Sequence, residues 1–318
     1  MPHFSNTDQP ENILGTAGAD VFEILTGSGA GNDVFFGMAG NDTASGGTGD
    51  DFLDGGTGSN ALYGGAGDDV VSASDPSLLN ANVLHGGSGD DVVITTGGHD
   101  ALFGDAGIDT AEFNFVTVGI TVDLGASIDV IDLGAFGSVA ISGFENVTTW
   151  SGADSVTGSD QANLIVTNGG NDTVRGLGGD DVITGGGGDD HIFGGSGNDA
   201  LVGNAGRDTL FGGAGSDAFA FLKVTDSRAG HGDQIGDFVS GVDVFNMEGF
   251  LDLTGHVSPG PRICHFSFIG AAHFSGHADE VRFQNGVLQA DSDQNGIADF
   301  SIKLLGVTAL AGIDFMFS

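Results

Sequence analysis

An aspartate or asparagine recurs at every ninth residue over long stretches of this chain. In the second half the series runs Asp154, Asn163, Asp172, Asp181, Asp190, Asp199, Asp208 and Asp217. Earlier it runs Asp33, Asp42, Asp51, Asn60 and Asp69, then after a break Asn82, Asp91, Asp100 and Asp109. Such side chains act as hard oxygen ligands or as acid–base groups, and spacing decides between the two. Two positions beyond each one stands an apolar residue, Phe35, Leu53 and Leu62 early on, Ile192, Leu201, Leu210 and Phe219 later. Glycines precede nearly all of them, and the consensus is G-G-x-G-x-D-x-U-x, with U apolar.

Physically this is a six-residue turn followed by a three-residue strand. Glycine admits the turn's positive φ, and U points inward while its neighbours point outward. One repeat cannot bury its U alone, so repeats must coil and stack. Two repeats make a coil of eighteen residues, which sets Asp172, Asp190 and Asp208 one above another. Stacked turns bring carboxylates and carbonyls together at short range, where they repel. Ca²⁺, which takes about six to eight oxygen ligands, turns that repulsion into a ladder of sites.

Composition points the same way. The formal net charge is −37, from 44 acidic residues against seven Lys and Arg. Counterion release on nucleic acid needs basic residues this chain lacks, and an anionic membrane surface is disfavoured for the same reason. An apolar fraction of 39% with 24 Phe argues against disorder, so cations must offset the self-repulsion. The lone Cys264 excludes an intrachain disulfide framework. The start, MPHFSNTDQPENILG, has neither the basic nor the apolar region of a cleavable export signal. No apolar run approaches the ~20 residues of a membrane span.

Intact copies such as GGTGDDFLD, GGAGDDVVS, GGSGDDVVI, GGGGDDHIF and GGSGNDALV resemble the nonapeptide of the calcium-binding RTX family. The resemblance implies an all-β chain, a right-handed parallel β-roll in two blocks, with a strand-rich spacer and a C-terminal β capping domain. It also implies how each ion is held. One turn gives its Asp and the carbonyls of its second and fourth positions. The turn one coil on gives its Asp and the carbonyls of its first and third. Carried over, one site uses Gly186, Gly188 and Asp190 with Gly203, Ala205 and Asp208. The next uses Gly195, Gly197 and Asp199 with Gly212, Ala214 and Asp217. The first block supplies Gly29, Gly31, Asp33, Asp42, Gly46, Thr48, Gly47, Gly49, Asp51, Gly64, Ala66 and Asp69, then Gly87, Gly89, Asp91, Gly104, Ala106 and Asp109. The second adds Asn168, Gly170, Asp172, Gly185, Gly187, Gly179, Asp181, Gly194 and Ser196. Roughly eight Ca²⁺ ions or more are expected. Asn60 in GGTGSNALY and the glycine-poor TTGGHDALF mark sites expected to be weak or empty.

The expected organisation is a first roll at 1–111, interrupted at 73–84 around Pro76, a spacer at 112–150, a second roll at 151–220, and a C-terminal region at 221–318. The spacer resembles those between RTX arrays, with alternation in GITVDL and SVAISGF; its acids, Glu112, Asp123, Asp129, Asp132 and Glu145, are read as solvated faces or extra calcium ligands rather than a catalytic pair. The C-terminal region resembles the end of serralysin-type secreted metalloproteases, through Asp233–Phe238, Phe266–Gly270, Ala298–Ile302 and the tail Asp314-Phe315-Met316-Phe317, here followed by Ser318. That likeness implies a cap on the roll and an uncleaved address for the type I secretion apparatus. Asp291, Asp293, Asn295 and Asp299 space oxygens like a calcium loop without the closing Glu of an EF-hand.

No H-E-x-x-H, G-x-S-x-G or P-loop occurs. His256, His265, His273, His277 and Cys264 crowd the C-terminal third, but Cys264 and His265 are adjacent in a strand-like run and do not readily face one metal. Outward apolar residues recur at Phe36, Tyr63, Ile94 and Phe103. Arg175, Phe193 and Phe211 should stack on one outer face. The reading is a secreted, extracellular calcium-binding protein of a Gram-negative bacterium, folding on Ca²⁺ after type I export. Its role would be non-catalytic, in surface, matrix, adhesion or self-assembly, with a second copy or a cell-surface polysaccharide as partner. An enzyme with an unrecognised site, or an accessory module to a separate enzyme or polysaccharide, is the alternative.

Overall fold

The computed structural model describes residues 3–5, 12–23, 31–73, 79–247, 267–275, 280–291, 295–311 and 314–316. Two compact units divide the chain, Met1–Ser155 and Val156–Ser318. Among the described residues helix is confined to short 3₁₀ segments, including Gly134–Phe136 and Val224–Ser227, in an otherwise all-β chain.

In the first unit, successive strands alternate between two parallel sheets. One sheet stacks Thr43–Thr48, Ala61–Ala66, Val83–Ser88 and Ala101–Ala106. The other stacks Val34–Phe36, Phe52–Asp54, Val70–Ala73, Val92–Thr95 and Thr110–Phe113. Ala44 pairs with Leu62 and Leu53 with Val71, which is the eighteen-residue coil of the ruler. Leu62 pairs with Leu84, a step of twenty-two, so the break around 73–84 lengthens one coil and leaves the stack in register. Pro76 lies outside the described residues. Part of 112–150 continues the stack, with Ser138–Ser142 lying parallel to Ala101–Ala106 and Asn146–Thr148 parallel to Thr110–Phe113. Asp129–Asp132 then closes one sheet antiparallel to Ser138–Ser142.

The second unit repeats the pattern. Thr173–Gly178, His191–Ser196 and Thr209–Ala214 stack in one sheet; Leu164–Val166, Val182–Gly187, Ala200–Ala205 and Ala218–Ala220 stack in the other. The C-terminal region prolongs both. Gln234–Ile235 and Phe300–Leu304 extend the first sheet in parallel register before Val287–Asp291 and Glu280–Gln284 turn antiparallel. Val244–Asn246 and Phe315–Met316 extend the second. A file of rings, Phe219, Phe238, Phe245 and Phe315, plugs this end, with successive centroids 6.0, 4.4 and 5.5 Å apart.

The inward residues make the core. Phe35, Leu53, Leu62, Leu84 and Leu102 in one unit, and Ile165, Ile183, Ile192, Leu201 and Leu210 in the other, are 0% exposed. Burial of each is worth about 1.5–3 kcal/mol, which no single repeat gains alone.

The second turn position takes positive φ even where it is not glycine. Leu177 (φ 79°) and Met38 (φ 73°) occupy it with exposed side chains. This left-handed region costs a leucine about 1–2 kcal/mol, and glycine's extra unfolded-state entropy costs about 0.5–1 kcal/mol. Leu177→Gly is therefore expected to stabilise the calcium-loaded protein by about 0.5–1 kcal/mol, seen as a raised urea midpoint. A lowered midpoint would show that the Leu177 side chain contributes more than the strain it imposes.

Candidate metal centres

The stacked strands set the ruler carboxylates in two rows per unit, one along each edge. Each is sealed inside its turn, with Asp51, Asp69, Asp91, Asp190, Asp199 and Asp208 all at most 2% exposed. The two carboxylate oxygens differ. Oδ1 accepts the backbone N–H of the ruler residue one coil earlier, from Asp33 to Asp51 (2.7 Å), Asp51 to Asp69 (2.7 Å), Asp172 to Asp190 (2.9 Å) and Asp190 to Asp208 (2.9 Å). Oδ2 of Asp42, Asp51, Asp69, Asp91, Asp109, Asp181, Asp190, Asp199, Asp208, Asp217 and Asp233 is buried without a hydrogen-bond partner.

Burial raises the pKa of these groups and their neighbours' charges raise it further, against the lowering by the backbone N–H. Asp51, Asp181, Asp208 and Asp217 are pushed up to about 6. Asp69, Asp109 and Asp190 reach about 7, and Asp233 about 8. A row of buried carboxylates that resists ionisation this strongly needs either protons or cations.

The structure brings the expected partners onto adjacent turns. Gly186 pairs with Asn204 and Gly187 with Ala205, which sets Gly186, Gly188 and Asp190 against Gly203, Ala205 and Asp208. Gly195 pairs with Gly213 and Ser196 with Ala214. In the first unit Gly47 pairs with Gly65 and Thr48 with Ala66, and Gly87 and Ser88 pair with Asp105 and Ala106. The fourth-position N–H donates to the third-position carbonyl of the next coil, Gly188 to Ala205 at 2.8 Å and Gly49 to Ala66 at 2.8 Å, and a carbonyl retains a second lone pair. The carboxylates and carbonyls of these turns are hard oxygens, which suit Ca²⁺. Among the described residues no cluster of three His, Cys, Asp or Glu side chains could hold a metal. The ladder offers two carboxylates between adjacent turns, and backbone carbonyls must complete any shell.

Departures fall where the consensus weakens. Asn60 points Nδ2 where aspartate would place Oδ2, donating to the Gly56 carbonyl at 3.3 Å. Asp291 Oδ2 accepts the Gly296 N–H at 2.8 Å and so holds its own turn. Gly29, Asp293, Cys264, His256, His265 and His277 lie outside the described residues, and His273 is exposed.

The rows are longer than the nine-residue ruler. Asp20 precedes Asp42 by twenty-two residues and donates its N–H to Asp42 Oδ1 at 2.7 Å. Asp233 and Asp243 continue the rows by accepting from Asp208 (2.8 Å) and Asp217 (3.1 Å), and Glu145 accepts from Asp109 at 3.0 Å. A second, outer ladder runs the opposite way along the fifth turn positions. Asn32, Asp50, Asp68 and Asp90 each accept the N–H of the fifth residue one coil later, at 2.9–3.1 Å. The preference for Asp or Asn at that position is visible in the repeats, although the consensus writes it as x.

Three segments, 28–62, 45–75 and 79–111, match the family of the RTX calcium-binding nonapeptide repeat (4 copies). Residues 158–317, half of the chain, match the peptidase M10 serralysin C terminal family. The chain belongs to that family. Its RTX repeats imply calcium binding, and its serralysin-type C-terminal region implies type I secretion, as for extracellular proteins of Gram-negative bacteria. No curated protein matches the chain. Among solved structures, the AlgE6R3 subunit of the Azotobacter vinelandii mannuronan C5-epimerase is similar at 23% identity and a TM-score of 0.33, over 52% of this chain and 78% of that one. Among the described residues no helix is long and apolar enough to cross a membrane.

Proposed function

We propose that this RTX protein is exported unfolded and folds outside the cell when Ca²⁺ enters the carboxylate ladder, then serves as a non-catalytic scaffold at the cell surface or in the surrounding matrix. The observation that carries the reading is the row of buried, unpartnered Oδ2 atoms. At low Ca²⁺ those charges oppose compaction, and at high Ca²⁺ they become ligands. Residues 221–318 would act as cap and export address, prolonging both sheets of the second unit and ending their stack.

The outer faces support a contact role. Arg175 lies 5.4 Å from the Phe193 centroid, and Phe193 stacks on Phe211 at 5.0 Å. Tyr63, His85 and Phe103 form a second file, with centroids 5.1 and 4.4 Å apart. Sedimentation velocity of the purified chain across a calcium titration tests the proposal. The expected result is an extended monomer without Ca²⁺, a compact species at millimolar Ca²⁺, and larger assemblies as protein concentration rises. A sedimentation coefficient indifferent to calcium would overturn the folding step, and a compact species that never associates would overturn the scaffold role.

A further inference from the structure

Glycine at the first turn position lets oxygens of its own turn and of the next coil close in where a side chain would stand. A Cβ added at Gly64 would meet Asp69 Oδ2 and the Gly86 carbonyl; at Gly176, Asp181 Oδ2 and the Gly194 carbonyl; at Gly194, Asp199 Oδ2 and the Gly212 carbonyl. At these turns the two neighbours are the turn's own unpartnered carboxylate oxygen and the first-position carbonyl of the next coil. These are two of the oxygens between which the ladder would hold its ion.

Three turns put a threonine there instead, at Thr95, Thr149 and Thr167, and Thr149, 1% exposed, donates its hydroxyl to Oδ2 of its own Asp154. Thr167, 0% exposed, donates its hydroxyl to the Gly185 carbonyl at 2.9 Å, the first-position carbonyl of the next coil. Thr95, also 0% exposed, donates to Oδ2 of its own Asp100 at 2.7 Å. Asp100 is further satisfied by Asn82, whose N–H and Nδ2 reach its Oδ1 at 2.9 and 2.8 Å. A neutral hydroxyl thus supplies the positive end of a dipole to one of these two oxygens at each turn, and its bulk stands where glycine leaves none.

We infer that the hydroxyls of Thr95 and Thr167 stand in for calcium at their turns, so that the Asp100 rung and the rung between Asp172 and Asp190 take no ion. On that edge of the second unit the calcium ladder begins at Asp190, and Asn168, Gly170 and Gly187 hold none. The ladder is therefore graded, with rungs closed by a threonine hydroxyl and open rungs that wait for metal.

The inference rests on the calcium reading above, and one experiment separates the two. Native mass spectrometry at millimolar Ca²⁺ counts ions on the unsubstituted full chain, which tests the ladder itself. Thr167→Gly is expected to bind one ion more than the unsubstituted chain, and Thr167→Ser, which keeps the hydroxyl, the same number. The mirror substitution Gly194→Thr closes an open rung and is expected to bind one ion fewer. Circular dichroism on the same samples confirms that each variant is folded. An unchanged count in folded Thr167→Gly or Gly194→Thr, or a gain in Thr167→Ser, overturns the inference while leaving the ladder standing.

Discussion

Removing calcium at about pH 8 is expected to abolish the β-sheet signal, and acidifying the calcium-free chain to about pH 5 to restore much of it. The sign follows from the raised carboxyl groups. Asp51, Asp69, Asp109, Asp181, Asp190, Asp208 and Asp217 titrate at about 6 to 7 when folded, and Asp233 at about 8, against 3.8 as the ordinary value. Between those limits the folded chain binds more protons than the unfolded one. Their contribution is therefore fully present below the ordinary value and is lost as pH rises through about 6 to 8. With calcium bound the dependence reverses, because the ion requires ionised ligands and acid displaces it.

Proton and calcium are thus alternative ways of neutralising one row of oxygens. A site filled at about ten times its Kd contributes about 1.4 kcal/mol, and roughly eight such sites about 11 kcal/mol, comparable to the stability of a whole domain. Circular dichroism across pH, with and without chelator, checks the reversal. A calcium-free signal independent of pH, or a calcium-loaded protein stabilised by acid, would sink it.

What is legible in the sequence is what repeats at fixed spacing. The inward residues Leu53, Ile183 and Leu201 and the stacking of Asp190 on Asp208 follow from eighteen-residue periodicity alone. The continuation of the rows through Asp233 and Asp243 does not, because those steps span twenty-five and twenty-six residues and cross stretches without the glycine ruler. Part of 112–150 likewise reads as a separate element because it loses the nine-residue glycine ruler. Its Ser138–Ser142 and Asn146–Thr148 strands nonetheless stack in register, since alternation is enough to present Val139, Ile141 and Val147 to the core. The threonine rungs are hidden for a different reason. Thr95 appears in the repeat only as a missing glycine, and its hydroxyl acquires meaning once the space beside Asp100 is seen.

Glycine itself bears the last large effect, and it differs by position. Gly188 stands at the fourth position of its turn with φ +131°, and a Cβ there would overlap the Gly170 carbonyl of the coil before. Both partners are backbone, so neither can swing away as a side chain would. Displacing Gly188 away from that carbonyl also disturbs the hydrogen bond from the Gly188 N–H to the Ala205 carbonyl at 2.8 Å, and with it the turn that presents Asp190. The conformation alone costs an alanine about 1–3 kcal/mol, and the overlap adds to it, so Gly188→Ala is expected to lose more than about 3 kcal/mol. Gly18 has ordinary φ and open space where its Cβ would lie, so Gly18→Ala should stay within about 0.5 kcal/mol of the unsubstituted protein. Urea midpoints at one fixed millimolar calcium concentration compare the two. Equal midpoints would mean that the coils slide to admit a methyl group, and the close stacking of turns would then not be what orders the carboxylate ladder.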